Sequence, residues 1–125
     1  MDPRSVVETF VNAWNEMSFE SVIACLSDDI FYHNIPKAPL VGIDEVTKYL
    51  KGAWQFTDCH WEMINLAVDG ANVLTERVDR FVINSVKVEL PIMGVFVINN
   101  NKIEQWRDYF DLAGYEAQLR RASNT

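Results

Sequence analysis

The second half of the 125-residue chain is a succession of strand-like segments joined by very short reversals. The stretch "VDGAN" contains the Asp-Gly pair typical of a hairpin turn, and "INSVK" and "INNNK" form two further tight reversals. Consecutive strands joined this closely usually pair with one another. The sequence therefore predicts a meander of long strands, which cover about residues 58–69, 72–83, 86–98 and 102–112.

Helical segments precede the meander and follow it. Asp2 and Pro3 have the residue types of an N-cap and a first helical position, and apolar residues then recur at helical spacing as far as Trp14. Ser18 is suited to cap a short second helix. The expected helices cover about residues 3–16, a short stretch after Ser18, about residues 43–54 and about residues 113–121.

One further strand lies between the second and third helices. It is "DDIFYHNIP", ended by Pro36, and it is followed by "KAPLVG", which is expected to be a loop. Helices followed by a strand meander indicate an α+β fold, in which the helices cover one face of a curved sheet. The space between helices and sheet is a natural place for a pocket. The length predicts a single domain over residues 1–125.

Composition narrows the classes of function. The net charge of −7 makes nucleic acid and anionic membrane surfaces unlikely partners. Cys25 and Cys59 are isolated from each other, which fits a reducing, cytoplasmic compartment, and the N-terminus does not have the pattern of a signal peptide. His33 and His60 lie in no ligand motif, so a metal site is not expected.

The second segment of the meander carries an unusual density of charge. Residues 75–81 read "TERVDRF", and strands are depleted in Asp because an unpaired buried charge is costly. Side chains alternate between the two faces of a strand, so Arg77 and Asp79 lie on one face, about 7 Å apart. Glu76 and Arg80 lie on the other face. Alternation alone leaves open which face is inside.

The last segment places a carboxylate on an apolar face. Trp106, Phe110 and Leu112 share that face, and Asp108 stands in the middle of it. A lone carboxylate there is strongly unfavourable unless it is paired, hydrogen-bonded or protonated. Arg77 is therefore an attractive partner for Asp108.

The first strand adds two polar residues, a tyrosine and an asparagine, on one of its faces. Two carboxylates around one arginine suggest divided roles, because their mutual repulsion raises one pKa while the arginine keeps the other group ionised. One carboxylate can then act as an acid and the other as a base, with a water held by the tyrosine and asparagine. The candidate proton-transfer site comprises Tyr32, Asn34, Arg77, Asp79 and Asp108.

Each of these features also has a plain structural explanation. Charge pairs across strands are common, and buried ion pairs perturb pKa values without any catalytic role. A tyrosine and an asparagine near a strand end can simply satisfy the backbone of a loop. The hypothesis of a site depends on the combination of all five residues.

Three stretches in this order and with this spacing resemble a known family. "FYHNIP", "TERVDRF" and "WRDYFD" are similar to stretches of the limonene-1,2-epoxide hydrolases, which belong to the superfamily of nuclear transport factor two and ketosteroid isomerase. The resemblance runs from the first helix to about residue 112. It implies a cone-shaped, curved mixed sheet, with N-terminal helices packed on its concave face around a deep apolar pocket.

The same resemblance implies a reaction, the one-step addition of water to an epoxide without metal or cofactor. Asp108 then corresponds to the base that deprotonates water, and Tyr32 and Asn34 to the groups that orient this water. Asp79 corresponds to the acid that protonates the epoxide oxygen, and Arg77 to the bridge between the two aspartates. All five positions match the family in residue type.

Several apolar residues are candidates for the pocket wall, although each is equally compatible with plain core packing. These substrate-binding candidates are Trp14, Phe81, Leu90, Ile92 and Phe110. The resemblance also implies a homodimer that acts on a small apolar epoxide.

Two other functions remain open from the sequence. One is an isomerase, or a polyketide or polyether cyclase, with the same fold and positioned acids and bases. The other is a small-molecule-binding module without catalysis. The triad of Arg77, Asp79 and Asp108 with Tyr32 and Asn34 distinguishes the hydrolase from a simple isomerase, whose site does not need it. A pocket that only binds likewise has no need of a charged triad among aromatics.

Overall fold

The structure is a computed structural model that describes residues 1–123. It contains four helices and a six-stranded sheet, so the predicted α+β class is confirmed. The elements in chain order are α1 Pro3–Asn15, α2 Phe19–Ala24, β1 Leu26–Asn34, β2 Leu40–Val41, α3 Ile43–Ala53, β3 Asp58–Asp69, β4 Asn72–Ile83, β5 Val86–Asn99, β6 Lys102–Tyr109 and α4 Leu112–Ser123.

The sheet is curved, open and mixed. Its strand order is β2-β1-β6-β5-β4-β3, in which β3 to β6 form the predicted antiparallel meander. The strand β1 pairs in parallel with β6 and so joins the start of the chain to the last strand of the meander. Since α1 packs against β3, β4, β5 and β6, the core lies between this helix and the sheet.

Backbone conformation explains why the reversals between the long strands are tight. Asn84 and Ser85 between β4 and β5 have φ of 50° and 65°, and Asn100 and Asn101 between β5 and β6 have φ of 51° and 61°. Positive φ at both central residues gives a turn whose twist matches the twist of the flanking strands. Asparagine tolerates this conformation better than most residues, and Gly70 adopts it between β3 and β4 with φ of 60°.

The helix starts agree with their predicted caps. Asp2 Oδ1 accepts a hydrogen bond of 2.8 Å from the Ser5 backbone N–H, and Pro3 is the first helical residue. Ser18 Oγ accepts from the Ser21 backbone N–H at 3.4 Å at the start of α2. These caps satisfy backbone donors that have no partner within the helix.

The stretch after β1 and the end of the last strand differ from the sequence prediction, and β1 itself covers Leu26–Asn34 rather than residues 28–36. The "KAPLVG" stretch contains the short strand β2, which pairs with β1, so it is not entirely a loop. The last strand ends at Tyr109 rather than near residue 112, and Leu112 begins α4 instead of continuing the strand face. The reason is local, because Asp111 Oδ1 accepts the Gly114 backbone N–H at 3.2 Å and starts the helix.

Aromatic packing dominates the core beneath α1. The Phe10 ring meets the rings of Trp14, Trp61, Phe96 and Trp106 edge to face, with centroids 5.0 to 6.3 Å apart. Edge-to-face contacts of this kind stabilise beyond the area they bury. None of the helices within residues 1–123 is both long and apolar enough to cross a membrane.

Candidate active site

Strand register brings the polar residues together on the inner face of the sheet. Asn34 on β1 lies opposite Asp108 on β6, Asp108 lies opposite Gly94 on β5, and Gly94 lies opposite Thr75 on β4. These four residues therefore form a row across four neighbouring strands. Side chains two residues apart share a face, so the residues that follow Thr75 at alternate positions of β4 project beside this row.

The two faces of β4 differ sharply in burial. Arg77 is 1% exposed and Asp79 is 2% exposed, both on the inner face. Arg80 on the outer face is paired in partly exposed positions with Glu62 at 2.6 Å and with Glu89 at 2.9 Å. The alternation predicted for "TERVDRF" is confirmed, and Arg77 and Asp79 occupy the buried face.

The Arg77 guanidinium forms hydrogen bonds with both aspartates. Its Nε donates to Asp79 Oδ1 at 2.8 Å, and its Nη2 donates to Asp79 Oδ2 at 3.2 Å and to Asp108 Oδ2 at 2.8 Å. Nη1 donates to Thr75 Oγ1 at 3.1 Å. Charge-assisted bonds of this kind are stronger than neutral ones, and buried ions need them because they have lost water.

Gly94 makes this arrangement possible. A Cβ atom at this position would lie 2.3 Å from Arg77 Nη1 and 2.6 Å from Asp108 Oδ1. The guanidinium therefore crosses the sheet directly over the glycine backbone to reach β6. Sequence reasoning missed Gly94, although a glycine inside a strand is a signal that another group approaches closely.

The buried surroundings change the proton affinities of Asp79 and Arg77. Burial raises the pKa of Asp79 to about 7, while Arg77 works in the opposite direction and Asp108 adds to the rise. Burial disfavours the charge of Arg77, but the carboxylates of Asp108 and Asp79 outweigh it and raise the pKa of the guanidinium. Arg77 therefore stays cationic, and Asp79 titrates near neutral pH.

The two oxygens of Asp108 have different surroundings. Oδ2 accepts from Arg77 Nη2 and, at 3.0 Å, from Trp106 Nε1. Oδ1 is buried and has no hydrogen-bond partner within the described residues. A buried carboxylate oxygen without a donor is costly, so this oxygen is suited to accept a bond from a bound molecule.

Tyr32 and Asn34 lie beside Asp108. The Tyr32 hydroxyl lies 3.0 Å from Asn34 Nδ2 and 3.2 Å from Asn34 Oδ1, and Asn34 is the register partner of Asp108. The Tyr32 ring stacks on Trp106 with centroids 3.9 Å apart. Burial raises the pKa of Tyr32 well above its usual value, so its hydroxyl stays protonated.

These groups border an apolar cavity of about 110 Å³ beneath the helices. Nine of the ten predicted site residues line it, and Arg77 lies behind the lining, held between its partners. Lining residues that sequence reasoning missed are mostly aromatic and come from α3, the segment after it, β3, β6 and α4. They include Tyr49, Trp54, Phe56, Trp61, Trp106 and Tyr115.

No three side chains among His, Cys, Asp and Glu are grouped closely enough within residues 1–123 to hold a metal ion. The chemistry that the residues themselves can supply is proton transfer. Asp79 is a group that can give a proton near neutral pH, and Asp108 has an oxygen able to take one. Arg77 forms hydrogen-bonded ion pairs with both carboxylates, so the charges of the two aspartates are coupled through it.

The fold defines the broad class first. A candidate SnoaL-like polyketide cyclase of Shewanella denitrificans OS-217 superposes with a TM-score of 0.83 at 10% identity, over 95% of this chain and 97% of that one. At this identity the likeness concerns the fold alone. The chain thus has the α+β cone fold of the SnoaL-like proteins.

The sequence then defines the family within that fold. The family model of the limonene-1,2-epoxide hydrolase catalytic domain matches residues 1–121, and the chain belongs to this family. The epoxide hydrolase EphG of Mycobacterium tuberculosis (strain ATCC 25618 / H37Rv) is 34% identical over 85% of this chain and 71% of that protein. A solved LEH-like epoxide hydrolase of M. tuberculosis is 31% identical, with a TM-score of 0.83 over 97% of this chain and 91% of that one.

Proposed function

We propose that the protein hydrolyses an apolar epoxide to a vicinal diol by a single acid–base step, without a covalent intermediate. The observation that carries the proposal is the pair of buried aspartates on one buried arginine, with Asp108 Oδ1 unpartnered among residues 1–123. The family supports an epoxide as the substrate.

Asp108 is the proposed base. Its Oδ1 accepts a hydrogen bond from a water that Tyr32 and Asn34 orient, and it takes one proton as the water oxygen attacks an epoxide carbon. The Tyr32 hydroxyl and the Asn34 side-chain amide are hydrogen-bonded to each other within 3.2 Å, which fixes the orientation of both groups toward the water. Orientation of the two reactants at contact distance supplies a large part of the rate.

Asp79 is the proposed acid. Its pKa of about 7 leaves a substantial protonated fraction at neutral pH, and this proton goes to the epoxide oxygen as the carbon–oxygen bond breaks. The step ends with Asp108 protonated and Asp79 ionised, so the total charge around Arg77 is unchanged. Arg77 hydrogen-bonds both carboxylates and stabilises either distribution of the charge.

The cavity supports a compact apolar substrate. Its volume of about 110 Å³ is close to that of a cavity that accommodates a benzene-sized molecule, on the order of 150 Å³. Trp14, Phe81, Leu90, Ile92 and Phe110 supply apolar walls, as proposed from the sequence. We propose that cyclic, terpene and aromatic epoxides are the substrate class, with the smaller rings preferred.

A panel of terpene, cycloalkene and styrene-type epoxides, with chiral analysis of the diols, tests this proposal. Asp108→Asn keeps the shape of the side chain, so it is expected to preserve the fold, read by circular dichroism, and to reduce diol formation by at least about 10³-fold. Full hydrolysis by Asp108→Asn would remove Asp108 from the mechanism. An absence of diol from every epoxide would refute the proposed activity.

We also propose a homodimer in a reducing, cytoplasmic compartment. Leu74, Met93 and Tyr109 are exposed large hydrophobic residues, and Met93 and Tyr109 are register partners on neighbouring strands. Both cysteines are unpaired. Sedimentation velocity at micromolar concentration tests the dimer, and a monomer at all concentrations would contradict it.

A further inference from the structure

A tryptophan on β3 covers the arginine that joins the two aspartates. Trp61 is the register partner of Asp79, and its ring centroid lies 4.5 Å from the Arg77 guanidinium carbon. Trp61 is 4% exposed and Arg77 is 1% exposed, so water does not screen this contact. A cation over an indole face is attracted most strongly when both groups are desolvated.

The contact acts in a direction that the hydrogen bonds of Arg77 do not cover. The bonds to Asp79, Asp108 and Thr75 use the N–H groups at the edge of the guanidinium, and N–H donors of this group lie in its plane. They resist motion within the plane better than a tilt out of it. The guanidinium carbon lies over the Trp61 ring at 4.5 Å, so this ring adds a contact that limits such movement.

Trp61 is itself held firmly in place. Its ring stacks on Trp14 at 4.7 Å with the planes 16° apart, and Trp14 stacks on Trp54 at 4.9 Å. The Asn15 side chain accepts from the Trp61 backbone N–H at 2.7 Å and donates to its carbonyl at 3.2 Å. These contacts fix Trp61 between the end of α1 and the floor of the cavity.

We propose that Trp61 is a positioning residue that holds the Arg77 guanidinium in place so that it bonds both aspartates at once. The catalytic consequence depends on the proposed epoxide hydrolysis, whereas the effect on Arg77 and Asp79 does not. Trp61 acts through Arg77 and does not itself exchange a proton.

Trp61→Leu removes the ring and keeps an apolar side chain. Loosening of Arg77 is expected to lower kcat by about 10-fold or more, on the scale of one desolvated cation–π contact. Trp61→Phe keeps a ring over the guanidinium and is expected to retain kcat within about 3-fold. Trp54→Leu is the matched control, because it removes another indole of the cavity wall whose stacking partner is Trp14 rather than Trp61, and it is expected to raise KM with a smaller effect on kcat.

The titration of Asp79 separates positioning from simple wall packing. The titratable or charged groups that act on Asp79 are Arg77 on its own strand, Asp108 on β6, Cys59 on β3 and Tyr115 on α4. If Trp61→Leu lets Arg77 move away, the pKa of Asp79 rises above about 7, because Arg77 lowers it in the wild type. If the variant merely opens the cavity to water, the pKa of Asp79 falls instead, because burial is relieved.

Carbon-13 NMR titration of the aspartate carboxyls, assigned with Asp79→Asn, measures this shift without any substrate. A higher Asp79 pKa in Trp61→Leu, with no rise in Trp61→Phe or Trp54→Leu, supports the proposal. An unchanged or lower value in Trp61→Leu would overturn it. If Trp61→Leu does not fold, Trp61→Met fills the space flexibly and carries the same prediction.

Activity and titration distinguish the two possible failures. Wild-type protein that hydrolyses no epoxide refutes the proposed function, while the NMR titration still decides the role of Trp61. Equal losses of kcat in Trp61→Leu and Trp54→Leu in an active enzyme, with the same Asp79 pKa in both, would assign Trp61 to packing alone.

Discussion

Gly94→Ala is a substitution of one methyl group that the structure predicts to be severe. The added Cβ would lie 2.3 Å from Arg77 Nη1, 2.6 Å from Asp108 Oδ1 and 3.0 Å from Thr75 Oγ1. None of these three atoms can move aside into solvent, because all three residues are buried. The methyl group therefore meets the centre of the candidate site.

The magnitude follows from the displacement that the contact requires. An ordinary van der Waals separation is about 3.5 Å, so Arg77 Nη1 at 2.3 Å has to retreat by roughly 1 Å. That movement disrupts the bond of 2.8 Å from Arg77 Nη2 to Asp108 Oδ2. A misplacement of about 1 Å costs on the order of 10²-fold in rate, and overpacking of a core costs about 1–3 kcal/mol in stability.

Diol formation and urea unfolding measure the two effects on the same protein. Gly52→Ala in α3 is the matched control, because a Cβ there meets nothing within 4 Å. Alanine in a helix interior is favoured over glycine by about 0.5–1 kcal/mol, so this control is expected to be slightly more stable and fully active. Near-wild-type activity and stability in Gly94→Ala would refute the account of how the guanidinium crosses the sheet.

Four further predictions concern charge and proton transfer. Since Asp79 has to be protonated to act as the acid, kcat is expected to fall as pH rises through about 7, and a pH–rate profile with no limb there would contradict its role. The pKa of Asp79 is raised from 3.8 to about 7, so between these values the folded state holds a proton that the unfolded state releases. The contribution of Asp79 to the free energy of unfolding therefore declines from about pH 4 to pH 7. Urea midpoints measured over this range should show a smaller decline in Asp79→Asn. Arg80→Ala is expected to change the free energy of unfolding little because its ion pairs are partly exposed and screened by solvent. Arg77→Ala leaves two buried carboxylates unpaired and should cost several kcal/mol, so equal effects in thermal unfolding would contradict the face assignment. Tyr32→Phe keeps the ring stacked on Trp106 but removes the hydroxyl, so kcat is expected to fall by about 10²-fold with little change in melting temperature.

The sequence predicts those parts of the fold that depend on short-range rules. Strand alternation puts Arg77 and Asp79 on one face. Tight turns fix the end of β3, both ends of β4 and β5, and the start of β6. Caps at Asp2 and Ser18 mark two helix starts for the same reason. In each case the determining residues lie within a few positions of the feature.

Features that depend on register between distant segments are not predictable in this way. Nothing local in β1 indicates that it pairs in parallel with β6, yet this pairing places Asn34 opposite Asp108. The need for a glycine at position 94 arises from a side chain that comes from β4. In the sequence Trp61 looks like any other apolar strand residue, and only the strand register places it opposite Asp79.

The helix contributions to the cavity show the same limit. Tyr49 on α3 and Tyr115 on α4 line the cavity because of how these helices pack on the sheet, which helical spacing does not specify. The end of β6 was misplaced because Asp111 caps α4, and this competing signal interrupts the strand pattern. Phe110 nevertheless lines the cavity from just beyond the strand.

A single turnover in oxygen-18 water tests the one-step mechanism most directly. With enzyme in excess over a compact apolar epoxide, water activated by Asp108 should place oxygen-18 in the first diol formed. Mass spectrometry of that diol, with uncatalysed hydrolysis subtracted, reads the result. A first diol that carries unlabelled oxygen from the enzyme, with label then found in an aspartate, would contradict the mechanism.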